Sequence, residues 1–200
     1  MVPNMTTNQR LIQQLAFLTE ADKLKSTLRA NFLCDGSRRE NSGEHSWHIA
    51  LYAMTLAEHS NRSVDVSRVI KMLLIHDLVE IDTGDVPIHA SNQDVAKQQA
   101  AEQAAAERIF GLLPEDQATS FRRLWDEFEA AETNDAIFAK SIDRVQPVIA
   151  NLETDGGAWP EFNVTQEQLE SRVGVKVSRG APAIWEILQS RIRALFKTQS

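Results

Sequence analysis

The chain has 200 residues, 42% of them hydrophobic and 24% charged, with 21 Lys and Arg against 28 Asp and Glu for a net charge of −7. This composition suits one globular domain and excludes a disordered or fibrous chain, and an acidic chain without basic runs is a poor partner for nucleic-acid polymers or anionic membranes. Cys34 is the only cysteine, which rules out an intramolecular disulfide or a cysteine-built zinc knuckle.

Helical periodicity runs nearly throughout. Leu11, Ile12, Leu15 and Leu18 share one stripe of a first helix. The preceding Met1–Thr7 lacks the basic flank and apolar core of a signal peptide, so a cytoplasmic location is expected. A second helix starts at Ser42 or Gly43, with Ile49, Tyr52, Ala53, Leu56 and Ala57 on its buried side, and gives way to the polar break Asn61-Arg62-Ser63. Asp65 or Ser67 offers an N-cap to Val69–Ile75, apolar almost all round and therefore central. Its longest apolar run is too short to span a bilayer. Gly84 and Pro87 punctuate a loop over Thr83–Pro87. The Ala-, Gln- and Glu-rich stretch Val95–Leu113 predicts a further helix, closed by Gly111 and Pro114. Another follows with Phe121, Leu124, Trp125 and Phe128. Asp135–Leu152 is helical by pattern, with Pro147 inside it. Gly156–Pro160 reads as a loop, and the alternation Val173–Val177 is too short to imply a sheet. Pro182 opens a last helix through Ile184, Ile187, Leu188, Ile192 and Leu195. The expectation is a single all-α domain over residues 1–200.

The first chemical signal lies at the end of the central helix. His76 and Asp77 interrupt an apolar run, where an unpaired polar pair would cost on the order of several kcal/mol to bury. A divalent cation is an efficient partner for imidazole beside carboxylate, and Glu80, about one turn on, can face the same side. Alone, the dipeptide fits a solvated helix end with a chance His-Asp pair better than a metal site. Two further places extend the pattern. Glu44-His45-Ser46-Trp47-His48 opens one helix, and Ser141-Ile142-Asp143-Arg144 lies inside another. His45, His76, Asp77 and Asp143 together offer two neutral nitrogens and two carboxylates. That set balances a divalent ion and leaves a six-coordinate one two positions for water or substrate, the arrangement that Lewis-acid hydrolysis requires. Lys140, one turn before Asp143, fits a phosphate role or a simple ion pair, and Arg144 reads as structural. His59 lies about 16 Å along its helix from His48, too far to share a metal. There is no Gly-rich phosphate loop with lysine and no serine nucleophile elbow.

Four segments occur in a telling order and spacing: Ser42-Gly43-Glu44-His45-Ser46, His76-Asp77-Leu78-Val79-Glu80, Thr83-Gly84-Asp85-Val86-Pro87 and Phe138-Ala139-Lys140-Ser141-Ile142-Asp143. Together they resemble the HD-domain phosphohydrolase superfamily, and within it the branch of bacterial 5'-deoxynucleotidases and the HD-domain-containing protein 2 group. The likeness covers about residues 24–152 and leaves 153–200 as a C-terminal helical extension. It implies a helical HD domain with metal ligation by His45, His76, Asp77 and Asp143. It also implies Glu80 as the catalytic carboxylate that activates or orients the attacking water, and Asp85 as an active-site residue assisting the leaving group or holding the sugar. Leu24-Lys25-Ser26-Thr27-Leu28-Arg29 resembles the segment whose arginine holds the substrate phosphate. Ala30 stands where the bacterial nucleotidase has tryptophan, and Phe32 is the replacement nearby. The implied activity is that of a 5'-nucleotidase on (deoxy)nucleoside monophosphates, with one divalent transition-metal ion (Mn, Co, Fe, Ni or Zn) and a homodimeric assembly. The alternatives are an HD phosphohydrolase acting on another small phosphoester, and a metal-containing binding or regulatory module without turnover.

Overall fold

In a computed structural model describing residues 6–89 and 95–199, the protein is built almost wholly of helices. Helix α1 (Thr7–Ala21) is closed at its start by a capping box between Thr6 and Gln9. After a 3-10 turn (Asp22–Ser26), β1 (Leu28–Phe32) and β2 (Arg39–Asn41) form an antiparallel pair, with Leu28 opposite Asn41 and Phe32 opposite Arg39. Then come α2 (Ser42–Leu56), α3 (Val66–Ile75), a 3-10 turn (His76–Val79) and α4 (Glu80–Thr83). Further on are α5 (Val95–Phe110), α6 (Glu115–Ala130) and the long α7 (Asn134–Glu153), which runs through Pro147. The C-terminal quarter holds a 3-10 turn (Trp159–Phe162), α8 (Gln166–Leu169), a π-helical turn (Glu170–Gly174), α9 (Val175–Gly180) and α10 (Pro182–Gln199). The all-α expectation holds, with the small hairpin as its one addition. These strands are too short for alternation to announce them, and they join through a turn in which Gly36 takes a φ of +69°.

The expected central helix is central. Asp65 caps α3 by accepting from the backbone of Ser67 and Arg68, and Val69, Met72 and Leu73 are fully buried between α2 and α7. From α2 come Ile49 and Ala53, and from α7 Phe138, Ile142 and Val145. Each such aliphatic or aromatic side chain contributes about 1.5–3 kcal/mol on burial. The C-terminal quarter closes the same core with Leu169, Val177, Trp185, Leu188 and Ile192. A neighbouring cluster of Phe17, Ile75, Ile109, Phe110 and Trp125 packs α1, α5 and α6 against the end of α3. The leucine stripe of α1 faces outward instead: Leu11, Ile12, Leu15 and Leu18 are all exposed. This helix docks through its other side, where Phe17 meets Phe121 edge-on and Arg10 pairs with Asp116 at 2.6 Å. Among the described residues, no helix is long and apolar enough to cross a membrane.

Backbone and helix approach closely where α9 crosses α7. A methyl group on Gly180 would sit 2.5 Å from Ser141 Oγ and 2.9 Å from the carbonyl oxygen of Ile137. Gly180→Ala is therefore expected to destabilise the fold by about 1–3 kcal/mol through overpacking. Urea unfolding checks this, and an unchanged midpoint would contradict so tight a crossing.

Candidate metal centre and cleft

Three elements deliver side chains to one buried spot. α2 begins with a capping box in which Asn41 and Glu44 satisfy each other's backbone N–H groups, and one residue later His45 enters the core with no exposed surface. α3 ends at Ile75, and the chain tightens into the 3-10 turn His76–Val79 before α4 begins at Glu80. Side chains three apart eclipse in such a turn. Asp77 and Glu80 thus share one side, where their carboxylates lie 2.8 and 3.7 Å from Arg29 Nη1. The single continuous helix expected through Glu80 is replaced by this tighter turn, clamped by Trp125 Nε1–H donating to the carbonyl of His76 at 3.1 Å. α7 supplies the buried Asp143.

The hydrogen bonds behind the two histidines set their tautomers. His76 Nδ1 lies 2.8 Å from the carbonyl of Leu73, which can only accept. Gln146 Nε2 donates to Glu40 Oε1 at 3.0 Å, which turns the amide oxygen to accept from His45 Nδ1 at 2.9 Å. Both Nε2 atoms then face Asp143 Oδ1, at 3.1 Å from His45 and 3.6 Å from His76. Donor atoms of His45, His76 and Asp143 all lie within 4.8 Å of one another. Asp77 reaches the same place, with Oδ1 at 2.8 Å from His76 Nε2 and Oδ2 at 4.0 Å from His45 Nε2.

The electrostatics are those of a site with too many carboxylates. Burial opposes a charge on His76, but Asp77 and Asp143 outweigh it and raise its pKa to about 10. Against the same cost of burial, His76 and Arg29 hold Asp77 far below the usual carboxylate range. Arg144 and the two histidines do so for Asp143. Glu80 goes the other way: burial, then Asp77 and Asp85, push it up to about 9 over the opposing Arg29, while Ser42 Oγ donates to it at 2.5 Å. Buried carboxylates in this number need cations. Two imidazoles with set tautomers and two carboxylates suit a divalent transition ion, so the donor chemistry fits a metal centre.

The remaining predicted residues lie around it. Gly84 takes a φ of +71°, open to glycine and strained for other residues, and turns the chain out of α4 so that Asp85 returns to the site. There Asp85 lies 3.3 Å from Arg29 Nη1 and accepts the Ala30 backbone N–H at 3.4 Å. Arg29, on β1, is only 8% exposed and also has Glu40 at 3.8 Å. Lys140 borders the cleft but is ion-paired to Glu129 at 2.9 Å, over the ring of Phe128. A cavity of about 260 Å³ opens over Asp77, Glu80, Asp85 and Asp143. Beside Arg29 and Asp85, a smaller one of about 70 Å³ is walled by Ile88, Pro147, Trp159 and Phe162. Sequence reasoning missed Glu40 and Gln146. Gln146 stands one turn beyond Asp143 on α7 and was open to detection by that spacing, whereas Glu40, on a strand, carried no such signal.

A profile of the HD domain family matches residues 21–185. The chain is 28% identical over 163 residues to the 5'-deoxynucleotidase HDDC2 of Xenopus laevis, covering 80% of this chain and 72% of that one. It is 27% identical over 157 residues to the 5'-deoxynucleotidase YfbR of Escherichia coli O127:H6, covering 75% and 78%. Among solved structures, a predicted metal-dependent phosphohydrolase from Magnetospirillum magnetotacticum MS-1 superposes with a TM-score of 0.87 at 44% identity, covering 94% of this chain and 96% of that one. A conserved hypothetical protein of Pyrococcus furiosus matches with a TM-score of 0.63 at 26% identity, covering 90% and 99%.

Two outcomes are expected. Because the His76 proton is held up to about 10 and a ligating imidazole must lose it, ion uptake expels protons. Affinity for Mn(II) should therefore rise with pH below that value, by about tenfold per unit for each proton released. Calorimetry in buffers of different ionisation enthalpy reads this directly, and a pH-independent affinity would refute it. Gln146→Leu should weaken metal binding by about 10–100-fold by releasing the His45 ring, with helical content unchanged by circular dichroism.

Proposed function

The chain belongs to the HD domain family, and from that premise we propose that it is a metal-dependent phosphomonoesterase converting (deoxy)nucleoside 5'-monophosphates to nucleoside and phosphate. One observation carries the reading. Glu80 and Asp85 stand beside the His45, His76, Asp77 and Asp143 set in a single cleft, and a purely structural ion needs neither. The names of the deoxynucleotidase relatives support the substrate class.

In this reading His45, His76, Asp77 and Asp143 hold a divalent ion, which supplies Lewis-acid polarisation of the phosphoryl group. Glu80 receives the proton of the attacking water. Its carboxyl is held in position by the Ser42 hydroxyl, which donates to it. Arg29, joined to Asp77 and close to Asp85, holds both carboxylates in place and borders the substrate cleft. Asp85 orients the departing sugar from the mouth of the apolar cavity. Lys140, tied to Glu129, forms part of the cleft wall.

Phosphate release from dNMPs, NMPs, dNTPs and an aryl phosphate, with Mn-, Co- or Zn-loaded protein, tests the proposal. Turnover should be confined to monophosphates. Glu80→Gln should lower it by about 10²–10⁴-fold while the protein keeps its metal. Undiminished turnover in that variant would overturn the assignment, and silence across the panel would overturn the substrate class.

A further inference from the structure

Arg29 is poorly placed to be the main receiver of a phosphate. Its guanidinium is buried, and Asp77, Asp85, Glu80 and Glu40 all lie within 3.8 Å of it. Its charge is already spent on anions that belong to the protein. Lys140 is spent likewise on Glu129. Two other cations border the same cleft with much less opposing them.

Arg144 follows Asp143 on α7. Its Nε is buried without a hydrogen-bond partner, a costly condition for a guanidinium N–H unless a ligand completes it. Among the described residues, the one carboxylate within ion-pair distance is Asp143, whose Oδ2 lies 3.5 Å from that same Nε without forming a hydrogen bond, a group already shared with both histidines. Arg144 also borders three cavities at once. One holds Asp77, Glu80 and Asp143, one is the apolar cavity beside Trp159, and the third extends for about 380 Å³ towards Lys176 and Arg179. Lys176, on α9, has no carboxylate within ion-pair distance among the described residues and borders two of these cavities. In the larger of them the acids are Glu129, held by Lys140, and Glu102, held by Gln98, and the other adds the carboxylates of the metal centre, which lie beyond ion-pair distance.

We propose that Arg144 and Lys176 form the anion-receiving arm of the cleft, which takes the oxygens of a phosphate or phosphomonoester. The planar donor fork of Arg144 suits two phosphate oxygens, and Lys176 adds a point charge at the outer side. The arm gives the C-terminal quarter a task, since α9 supplies Lys176 and crosses α7 tightly at Gly180. This inference rests on the phosphohydrolase reading for its substrate, but the arm binds phosphate whether or not turnover follows.

The probe is inorganic phosphate, titrated calorimetrically into the Mn(II)-loaded full-length protein. Arg144→Gln is expected to weaken phosphate binding by at least about tenfold and Lys176→Ala by about three- to tenfold. Arg144→Lys should recover part of the loss. Lys71→Ala, an exposed charge on α3, should leave it unchanged. Lys176 is exposed, so its variant stays informative if Arg144→Gln fails to fold. Steady-state kinetics on the best monophosphate add a second readout, with KM rising in both variants. Phosphate affinity equal to the unaltered protein in Arg144→Gln and Lys176→Ala overturns the arm, as does an unaltered protein that binds no phosphate. Phosphate binding that depends on Arg144 without turnover on any phosphoester upholds the arm and removes the enzymatic reading. Turnover with KM and phosphate affinity untouched by both substitutions does the reverse.

Discussion

Glu40, Asp77 and Asp143 are buried together where α2, α7 and the turn after α3 meet. Taking such charges out of water costs several kcal/mol per ion even after relaxation. Glu80 and Asp85 stand beside them, and no apolar packing can offset that concentration of acid. The compensation has to be ionic. Part is built in, because Arg29 lies among four of these carboxylates and the two histidines lie against Asp77 and Asp143. A divalent cation is the natural remainder, and much else in the centre of the molecule follows from preparing for it.

That preparation is visible in the backbone. A continuous helix through residues 76–80 would place successive side chains 100° apart. The 3-10 turn instead stacks Asp77 and Glu80 on one side, and Trp125 secures the turn from behind. Gly84 supplies the left-handed bend that brings Asp85 back. The imidazoles are aimed by groups contributing nothing to the cleft itself: the Leu73 carbonyl for His76, and the Gln146–Glu40 pair for His45. Helices packed over Met72, Leu73, Phe138 and Ile142 hold these parts rigidly, as a preorganised polar site requires.

The cleft divides its charge. Acid groups and histidines form the floor, an apolar cavity opens beside Asp85, and Arg144 with Lys176 stands between and beyond. A phosphomonoester has a related division, with an anionic head and a polar bridging oxygen. The net charge of −7 is no obstacle to such a ligand, since local cations dominate the field within their own pocket.

How much was readable from the chain itself varies with the physics involved. His76 and Asp77 stand out because they interrupt the apolar periodicity of their own helix, and the resemblance of the local motifs added His45 and Asp143, which the fold brings to the same place; the same periodicity announced α3 and α7. Glu80 and Asp85 were legible through the local motifs around them. The leucine stripe of α1 shows the limit of that signal. Periodicity marks an apolar face but does not say whether the fold covers it, and here Leu11, Ile12, Leu15 and Leu18 remain exposed. Glu40 and the missing hydrogen bond at Arg144 Nε were out of reach for a related reason. Whether a charge is spent or free depends on which distant residues come within about 4 Å of it, and no spacing along the chain encodes that. Sequence thus determined which chemical groups the helices carry. Tertiary packing decided that Arg29 is enclosed by four carboxylates while Arg144, among the described residues, has Asp143 alone within ion-pair distance.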